Sequence, residues 1–252
     1  MIVIDIGNTN TVLGIYLNNK LLKKKRLETN NLDIFKQNVK KYFQNNEKLL
    51  KKFSKKICIL SSVAPKYDNI IKILSNNFNL HFFNLKAKNI PFNLRIKYEL
   101  KKIGPDRIAN FIAISKYNFK NCIVVDFGTA TTFDIIKNKI YEGGVIFPGI
   151  KVSHNSLIDQ AALLKKTEIV KIKKITGKNT KESIQSGFYW GYLSTTNGII
   201  SKICEEMNFK PKIILTGGLA PLFRSKIILN PRIIENLTLE GLKSIGQKIN
   251  VE

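Results

Sequence analysis

The chain has 252 residues, 44% of them hydrophobic, which is enough to bury a substantial core in one large domain or two smaller ones. It has no run of 18 apolar residues and no secretory-type leader, so we expect a cytoplasmic protein that has no membrane partner. Its 42 Lys and Arg residues outweigh 18 Asp and Glu residues, and a net charge of +24 could by itself fit a partner such as nucleic acid.

The first predicted elements form a β-meander, and helices and strands alternate after it. Apolar runs separated by turn residues predict strands at residues 2–6, 11–16 and 21–27. Apolar residues at helical spacing predict helices over residues 32–50 and around residues 70–74, with strands at 57–63 and 80–85. This alternation is typical of an α/β fold.

The second half of the chain restarts the pattern of the first. Residues 2–12 align with residues 123–133 at a constant offset of 121, and Asp5, Gly7 and Thr11 meet identical residues. Repetition at about half the chain length predicts two related α/β halves, residues 1–115 and residues 116–252, packed around a central cleft.

Each repeated segment is a strand that ends in Asp and runs into a glycine turn with hydroxyl residues. Gly7 and Gly128 allow backbone N–H groups to approach an anion, and the nearby threonines add hydroxyl donors for phosphate oxygens. Asp5 and Asp126 can hold a cation near those phosphates. One such hairpin alone would be an ordinary turn, but the duplicated pair predicts a triphosphate site.

Two further glycine segments lie in the second half. An apolar strand that runs into Thr216-Gly217-Gly218 can seat a flat nucleoside against bare backbone. Gly143-Gly144 and Pro148-Gly149 bracket three apolar residues and predict a shaped loop rather than an extended strand. Whether that loop lines a pocket or only turns the chain stays open.

The segment Gly104-Pro105-Asp106-Arg107 precedes an apolar, helix-like stretch that reaches Ile114. Asp106 falls near the helix start, where the dipole and free N–H groups favour an ionised carboxylate. Such a carboxylate can orient and deprotonate a substrate hydroxyl, and Arg107 can pair with a carboxylate or a phosphate. The alternative is a plain helix cap with a solvated arginine.

The charge and the cysteines point to no separate site. The positive excess is mostly lysine and lies in short, scattered clusters such as Lys23-Lys24-Lys25-Arg26, which favours compositional bias over a specific nucleic-acid site. Cys58, Cys122 and Cys204 are far apart and form no disulfide or zinc pattern.

In their order along the chain, five segments resemble one family, the type III pantothenate kinases. They are Asp5-Ile6-Gly7-Asn8-Thr9, Gly104-Pro105-Asp106-Arg107, Asp126-Phe127-Gly128-Thr129-Ala130-Thr131-Thr132, Gly143-Gly144 with Pro148-Gly149, and Gly177-Lys178-Asn179-Thr180. The resemblance implies two actin-like (ribonuclease H-like) halves, each a mixed sheet with helices, of the acetate and sugar kinase, heat-shock protein and actin superfamily. It also implies phosphorylation of pantothenate by ATP with Mg²⁺, the first step of coenzyme A synthesis, in a homodimer whose subunits build the substrate pocket together.

The same resemblance implies roles for individual residues. Asp106 would be the catalytic base, and Asp126 would bind a monovalent cation, potassium or ammonium. The ATP phosphates would contact Thr129 and the first hairpin, through Asp5, Ile6, Gly7, Asn8, Thr9, Asn10, Thr11 and Val12. Pantothenate would contact Tyr98, Gly104, Pro105, Asp106, Arg107 and Thr180.

Pro105 departs from the alanine that is usual at this position of the motif, and it removes an N–H group that could contact substrate. Residues 98–103, which lead to the motif, are also one residue shorter than the family pattern. This difference counts against Tyr98 as a substrate contact more than against Asp106 as the base. Two alternatives remain open. One is a non-catalytic, regulatory nucleic-acid-binding relative, against which the presence of Asp5, Asp106 and Asp126 argues. The other is a kinase of the same fold that acts on another small acid or a sugar.

Overall fold

A computed structural model describes residues 1–249, and this range divides into two compact units. Unit 1 contains residues 1–118 and the C-terminal helix, and unit 2 contains residues 119–236. Within the described residues each unit has one five-stranded mixed sheet with helices. The predicted α/β class with two related halves is therefore confirmed.

Unit 1 opens with an antiparallel meander, and two parallel strands complete its sheet in the order β3-β2-β1-β4-β5. Its elements before residue 118 are β1 (Ile2–Ile6), β2 (Asn10–Leu17), β3 (Lys20–Glu28), α1 (Leu32–Asn45), α2 (Glu47–Leu50), β4 (Ile57–Ser62), α3 (Asp68–Asn77), β5 (His81–Asn84) and α4 (Pro105–Lys116). β1 and β4 read as nearly continuous apolar runs because both are central strands, covered on both faces.

Unit 2 repeats this topology in the order β8-β7-β6-β9-β10. Its elements are β6 (Cys122–Phe127), β7 (Ala130–Lys137), β8 (Ile140–Pro148), α5 (Ile150–Gln160), α6 (Thr180–Met207), β9 (Lys212–Gly217), α7 (Ala220–Phe223) and β10 (Arg232–Ile233). The long helix α6 buries Tyr189, Leu193 and Ile200 in a core with Ile123 and Val125 of β6. The chain then continues into α8 (Leu237–Lys248).

Helix α8 packs within unit 1, whereas the sequence placed residues 116–252 together in the second half. Its apolar face buries Leu239, Leu242 and Ile245. Gly241 approaches α4 so closely that a Cβ atom there would lie 1.9 Å from the carbonyl oxygen of Ala109. A glycine is therefore what permits these two helices to meet, and α8 supports α4, whose first turn contains Asp106.

Two predicted elements differ in the structure. The helix expected over residues 32–50 is interrupted at Asn46, whose side-chain amide donates to the carbonyl oxygen of Tyr42 at 2.8 Å and ends α1. The loop expected around Gly143-Gly144 is wrong, because these residues belong to the edge strand β8 and pair with β7. A β-bulge beside this pairing accommodates Gly143, which has a φ of 140°.

The internal repeat is real, but its offset changes at the hairpin loops. The offset is 121 as far as Gly7 and Gly128. Beyond the loops it is 120, because Thr11 pairs opposite Ile6 as Thr131 pairs opposite Phe127. The loop between β1 and β2 is residues 7–9, and the loop between β6 and β7 is residues 128 and 129. We call these the first and second hairpin loops; the second is one residue shorter.

Candidate active site

Asp5 stands near the end of β1, between its neighbours β2 and β4. The parallel pairing with β4 puts Ser61 directly beside it, and the Ser61 hydroxyl donates to Asp5 Oδ1 at 2.9 Å. Ser61 is fully buried, whereas Asp5 is half-buried. A buried donor that bonds to a partly exposed carboxylate holds that carboxylate in one orientation.

The two hairpin loops are closed by their glycine amides. The N–H of Gly7 donates to the carbonyl oxygen of Asn10 at 2.9 Å, and the N–H of Gly128 donates to that of Ala130 at 3.1 Å. These amides, which the sequence offered as donors to an anion, are thus used inside the loops. The exposed residues Asn8 and Thr9 are the part of the first loop that faces solvent.

Thr11 lies on the buried face of β2, where its hydroxyl is 2.8 Å from the hydroxyl of Thr29. The sequence proposed this hydroxyl as a phosphate donor, and the structure instead engages it in the core behind the loop. Ile6 is also buried, Asn10 and Val12 are half-buried, and the side chains at the loop itself are the exposed ones. In the predicted ATP-binding segment, Asn8 and Thr9 are therefore exposed, while Ile6 and Thr11 are buried beneath the loop.

The segment Gly104-Pro105-Asp106-Arg107 forms the start of α4, as predicted. Gly104 is the N-cap and Pro105 is the first helical residue, where a helix needs no N–H group and favours the fixed φ of proline. Asp106 Oδ1 accepts a hydrogen bond from the Arg107 backbone N–H at 2.9 Å. A Cβ atom on Gly104 would lie 2.4 Å from the same oxygen, so glycine is what permits this carboxylate orientation.

Opposing effects act on the Asp106 carboxyl. Burial raises its pKa above the ordinary aspartate value, while the hydrogen bond from the Arg107 amide and the Arg107 charge act to lower it. Burial has the larger effect, so the pKa of Asp106 is raised. A carboxylate with a raised pKa is a stronger base than an exposed aspartate, which suits the removal of a proton from a hydroxyl.

Within unit 1, the start of α4 and the first hairpin loop are joined through Val63. The Val63 N–H donates to the carbonyl oxygen of Ile6 at 3.0 Å, just before the loop begins. A Cβ atom on Gly104 would lie 3.9 Å from Val63 Cγ1. The structure thus brings the Asp106 segment and the Asp5 hairpin, two sites that are far apart in sequence, to one region of the unit.

Asp126 occupies the equivalent place in unit 2, between Thr132 of β7 and Thr216 of β9. Gly217 has a φ of 85°, and a Cβ atom on it would lie 2.5 Å from Asp126 Oδ1. The carboxylate is therefore packed against bare backbone, with its residue half-exposed. The carboxylate and the neighbouring backbone carbonyl oxygen of Phe127 are oxygen atoms, the ligand type that hard cations prefer.

The second hairpin loop is supported by Gly149, which directly follows β8. A Cβ atom on Gly149 would lie 2.0 Å from the carbonyl oxygen of Thr129 and 2.6 Å from that of Gly128. Thr129 is half-buried. The Pro148-Gly149 dipeptide, read from the sequence as part of a loop, thus places a glycine under the predicted ATP contact.

Thr180 begins α6 and is held there by a reciprocal cap. Asn179 Oδ1 accepts from the Glu182 N–H at 2.9 Å, and Glu182 Oε2 accepts from the Lys178 N–H at 2.8 Å. This second hydrogen bond is the main cause of the lowered pKa of Glu182. Exposed Thr180 also lines a largely apolar cavity of about 540 Å³ in unit 2, together with Phe147, Leu157 and Tyr192.

Tyr98, the remaining predicted substrate contact, is 44% exposed in unit 1. It lies just before the 3₁₀ turn Leu100–Lys102 that leads to α4. The structure places it on the surface of the approach segment, in irregular backbone.

Residues 1–249 contain no group of three or more His, Cys, Asp or Glu side chains that could hold a metal ion. Across the same range no helix has both the length and the apolar character that crossing a membrane requires. Magnesium commonly keeps several waters and binds through one or two carboxylates and the substrate phosphates. A single carboxylate such as that of Asp5 is therefore enough for a magnesium ion that is bound to a nucleotide.

Sequence reasoning missed two residues that support the predicted site, Ser61 and Thr29. Ser61 was visible as part of the polar end of an apolar strand, but its partner Asp5 is evident only once β1 and β4 are paired in register. Thr29 follows a lysine-rich strand and gave no signal of its own.

Comparison with known proteins identifies one family. The family model described as "Type III pantothenate kinase" matches residues 1–202. A type III pantothenate kinase from Pelagibacter ubique is 36% identical over 244 residues, 96% of each chain. Another from Halalkalibacterium halodurans is 37% identical over 253 residues, 98% of this chain and 99% of the relative.

Solved structures resemble the fold at lower identity. A protein named as a Baf family transcriptional activator from Campylobacter jejuni has a TM-score of 0.61 at 23% identity, covering 98% of both chains. One named as a 2-dehydro-3-deoxygalactonokinase from Sinorhizobium meliloti has a TM-score of 0.58 at 10% identity, covering 98% of this chain and 96% of its own. At these identities the likeness concerns the fold alone.

Proposed function

The chain belongs to the type III pantothenate kinase family, and from this premise we propose that it transfers the γ-phosphoryl group of ATP to the primary hydroxyl of pantothenate. The product is 4'-phosphopantothenate, and the reaction is the first step of coenzyme A synthesis. The observation that carries the proposal is Asp106, fixed at the start of α4 in the region of the first hairpin loop.

Asp106 is the base in this proposal. Its carboxylate accepts the proton of the pantothenate hydroxyl as the hydroxyl oxygen bonds to the γ-phosphorus. The bond from that phosphorus to the bridging oxygen breaks, and ADP leaves with the electron pair. Arg107, at 8% exposure, lies next to the base and can offset the negative charge of the phosphates or of the pantothenate carboxylate.

The first hairpin and Thr129 hold ATP. Exposed Asn8 and Thr9 lie where they can contact the phosphates, and half-buried Asp5, oriented by Ser61, would hold the nucleotide-bound magnesium ion through its waters. Bound magnesium offsets phosphate charge. The carboxylate, the exposed loop and the glycine-closed turn support this assignment because together they suit a polyanion with its cation.

Asp126 holds a monovalent cation, potassium or ammonium, in the same proposal. Its carboxylate lies against the backbone of Gly217, which suits a large, weakly hydrated ion better than magnesium. Such an ion supplies positive charge beside the second hairpin loop. The residues fit the ion in type, since both the carboxylate and the backbone carbonyls offer oxygen ligands.

Pantothenate contacts residues 104–107, Tyr98 and Thr180, and we propose that two copies of the chain build this pocket together in a homodimer. Helix α6 carries Gly187, Gly191 and Gly198, where an added Cβ atom would meet nothing within 4 Å. An open glycine face beside Thr180 supports close approach of a second copy. The cytoplasm, where ATP is available, is the proposed location.

The test is a substrate panel with purified protein, magnesium–ATP and potassium. ADP release should depend on pantothenate and should stay at background with small sugars, acetate and glycerate. Release with a sugar but not with pantothenate would contradict the proposal and favour a kinase of the same fold with another substrate. Absence of release with every acceptor would favour a non-catalytic relative.

A further inference from the structure

We propose that Thr29 is a positioning residue that fixes the shape of the first hairpin loop and thereby sets the affinity for ATP. This inference rests on the proposed function, since it assigns Thr29 to the loop that receives the phosphates. Thr29 itself is only 9% exposed and acts through the loop rather than on the nucleotide.

Thr29 makes two separate contacts, one with the last residue of the loop and one with the strand that follows it. Its backbone N–H donates to the carbonyl oxygen of Thr9 at 2.9 Å, at the end of the loop. Its hydroxyl is 2.8 Å from that of Thr11, on the strand that leaves the loop. The Thr9 carbonyl and the Thr11 side chain are thus tied to one residue, and the exposed Asn8-Thr9 segment lies directly before this tie.

The tie is itself anchored to the core of unit 1. The next residue, Asn30, accepts a hydrogen bond through its carbonyl oxygen from the Tyr67 hydroxyl. Tyr67 is 2% exposed, and its ring centroid lies 4.6 Å from that of Phe35 in α1. Because Asn30 is bonded to this buried aromatic pair, the backbone at Thr29 is fixed to the core, and Thr29 can hold the loop in one position.

Unit 2 uses the same position differently. At the offset of 120, Thr29 corresponds to Gly149, which packs its bare backbone under the second hairpin loop. Thr131, the counterpart of Thr11, is buried, and its hydroxyl has no hydrogen-bond partner among the described residues. Since Gly149 has no side chain, the hydroxyl pair is a feature of the first loop, which indicates that this loop is held by a polar link.

The experiment compares Thr29→Val with Thr29→Ser in the full chain. Valine keeps the backbone N–H contact and the shape but removes the hydroxyl, so the KM for ATP should rise roughly three- to tenfold, the range expected for one lost hydrogen bond. The KM for pantothenate should stay unchanged, and serine should restore the wild-type value. Thr196→Val, a change at a buried threonine of α6, is the matched control and should leave both KM values unchanged.

Thr11→Val removes the same hydrogen bond from its other side and should raise the KM for ATP by a similar factor. The double variant should be no worse than either single variant, because both remove one interaction. This pair also covers the case in which Thr29→Val does not fold.

Two results would overturn the inference while leaving the proposed function intact. One is an unchanged KM for ATP in Thr29→Val or Thr11→Val; the other is an equal rise in both KM values that serine does not reverse. Calorimetry of the wild-type chain with magnesium–ATP distinguishes failure of the role proposed for Thr29 from failure of the proposed function. Wild-type protein that binds no nucleotide would overturn the proposed function and this inference together.

Discussion

Asp106 combines a helix N-terminus, a neighbouring arginine and a partly buried position at one carboxyl group. The first two favour the ionised form, and burial disfavours it and prevails, so the pKa is raised. The ionised form is the one that accepts a proton. A base of this kind works at neutral pH and loses activity in acid sooner than an ordinary aspartate would.

This balance predicts both the effect of Asp106→Asn and a pH profile. Asparagine removes the base, so kcat should fall about 10²–10⁴-fold. In wild-type protein, kcat/KM for pantothenate should fall as the pH drops through a pKa above the ordinary aspartate value, because the carboxylate becomes protonated. Steady-state rates across the acid range measure both effects.

The stability of the same variant is the control. A carboxyl group with a raised pKa binds its proton more tightly in the folded chain, so its ionisation costs folding free energy as the pH rises through that pKa. Asp106→Asn should therefore be at least as stable as wild type at neutral pH in urea unfolding. Retention of half the wild-type turnover by this stable variant would show that Asp106 is not the base.

Ser61 acts on Asp5 through one hydrogen bond, from its hydroxyl to Asp5 Oδ1. Ser61→Ala should weaken the hold on the carboxylate and lower kcat/KM for ATP by roughly three- to tenfold. Ser75→Ala is the matched control, since Ser75 is equally buried and donates to a backbone carbonyl of α3. Equal kinetics in the two variants would contradict a role for Ser61 in orienting Asp5.

The sequence predicted Asp5, Asp106 and Asp126 as candidates because each ends a strand or begins a helix beside glycine. It could not predict Ser61, whose role depends on strand register, or Thr29, whose role depends on contacts of the residue after β3 with the first hairpin loop and with β2. It also assigned the amides of Gly7 and Gly128 to a ligand, although turn closure uses them. Backbone hydrogen bonds inside a loop are not readable from residue types.

At the scale of elements, the two hairpins share a topology but differ in loop length and in support. The strands β1 to β5 and the regions of helices α1 and α3 followed from the sequence pattern, whereas α5 and α6 were not predicted. The edge strand β8 was not predicted either, because Gly143, Gly144 and Pro148 hide its strand pattern, and β7 supplies the pairing that extends it. Helix α8 could not be placed either, since its packing on α4 depends on the close approach at Gly241.

The hairpin–strand arrangement around Asp126 predicts the effect of Gly217→Ala. The added methyl group would be strained at a φ of 85° and would meet Asp126 Oδ1, so the carboxylate must move. Wild-type activity should be much higher in potassium than in sodium at equal ionic strength, and the variant should lose this preference. Ammonium should replace potassium in the wild type.

Glu206→Ala is the control, because it changes an exposed residue near the end of α6 that belongs to no proposed site. It should change the free energy of unfolding by no more than about 0.5 kcal/mol and keep the potassium preference. Equal wild-type rates in sodium and potassium would remove the proposed cation site at Asp126.

At the scale of the whole molecule, the net charge of +24 is the feature that the proposed reaction does not use. In unit 1 it includes four consecutive exposed basic residues, Lys23, Lys24, Lys25 and Arg26, on the edge strand β3. Charged side chains on an edge strand discourage pairing with another chain. They need no nucleic-acid partner.

We therefore expect weak, sequence-independent binding to DNA that falls steeply as salt rises. Fluorescence anisotropy with several unrelated duplexes, over a salt series, measures this. A Kd of about 10⁻⁸–10⁻¹¹ M for one duplex at physiological salt, the range of specific binders, would contradict the expectation. It would promote the regulatory alternative.

The central claim is that the chain phosphorylates pantothenate with ATP. The most direct measurement is the mass spectrum of the product after incubation with pantothenate, magnesium–ATP whose γ-phosphate carries heavy oxygen, and potassium. We expect 4'-phosphopantothenate that carries the label of the γ-phosphate, together with unlabelled ADP. Hydrolysis of ATP to labelled phosphate, with pantothenate left unmodified, would contradict it.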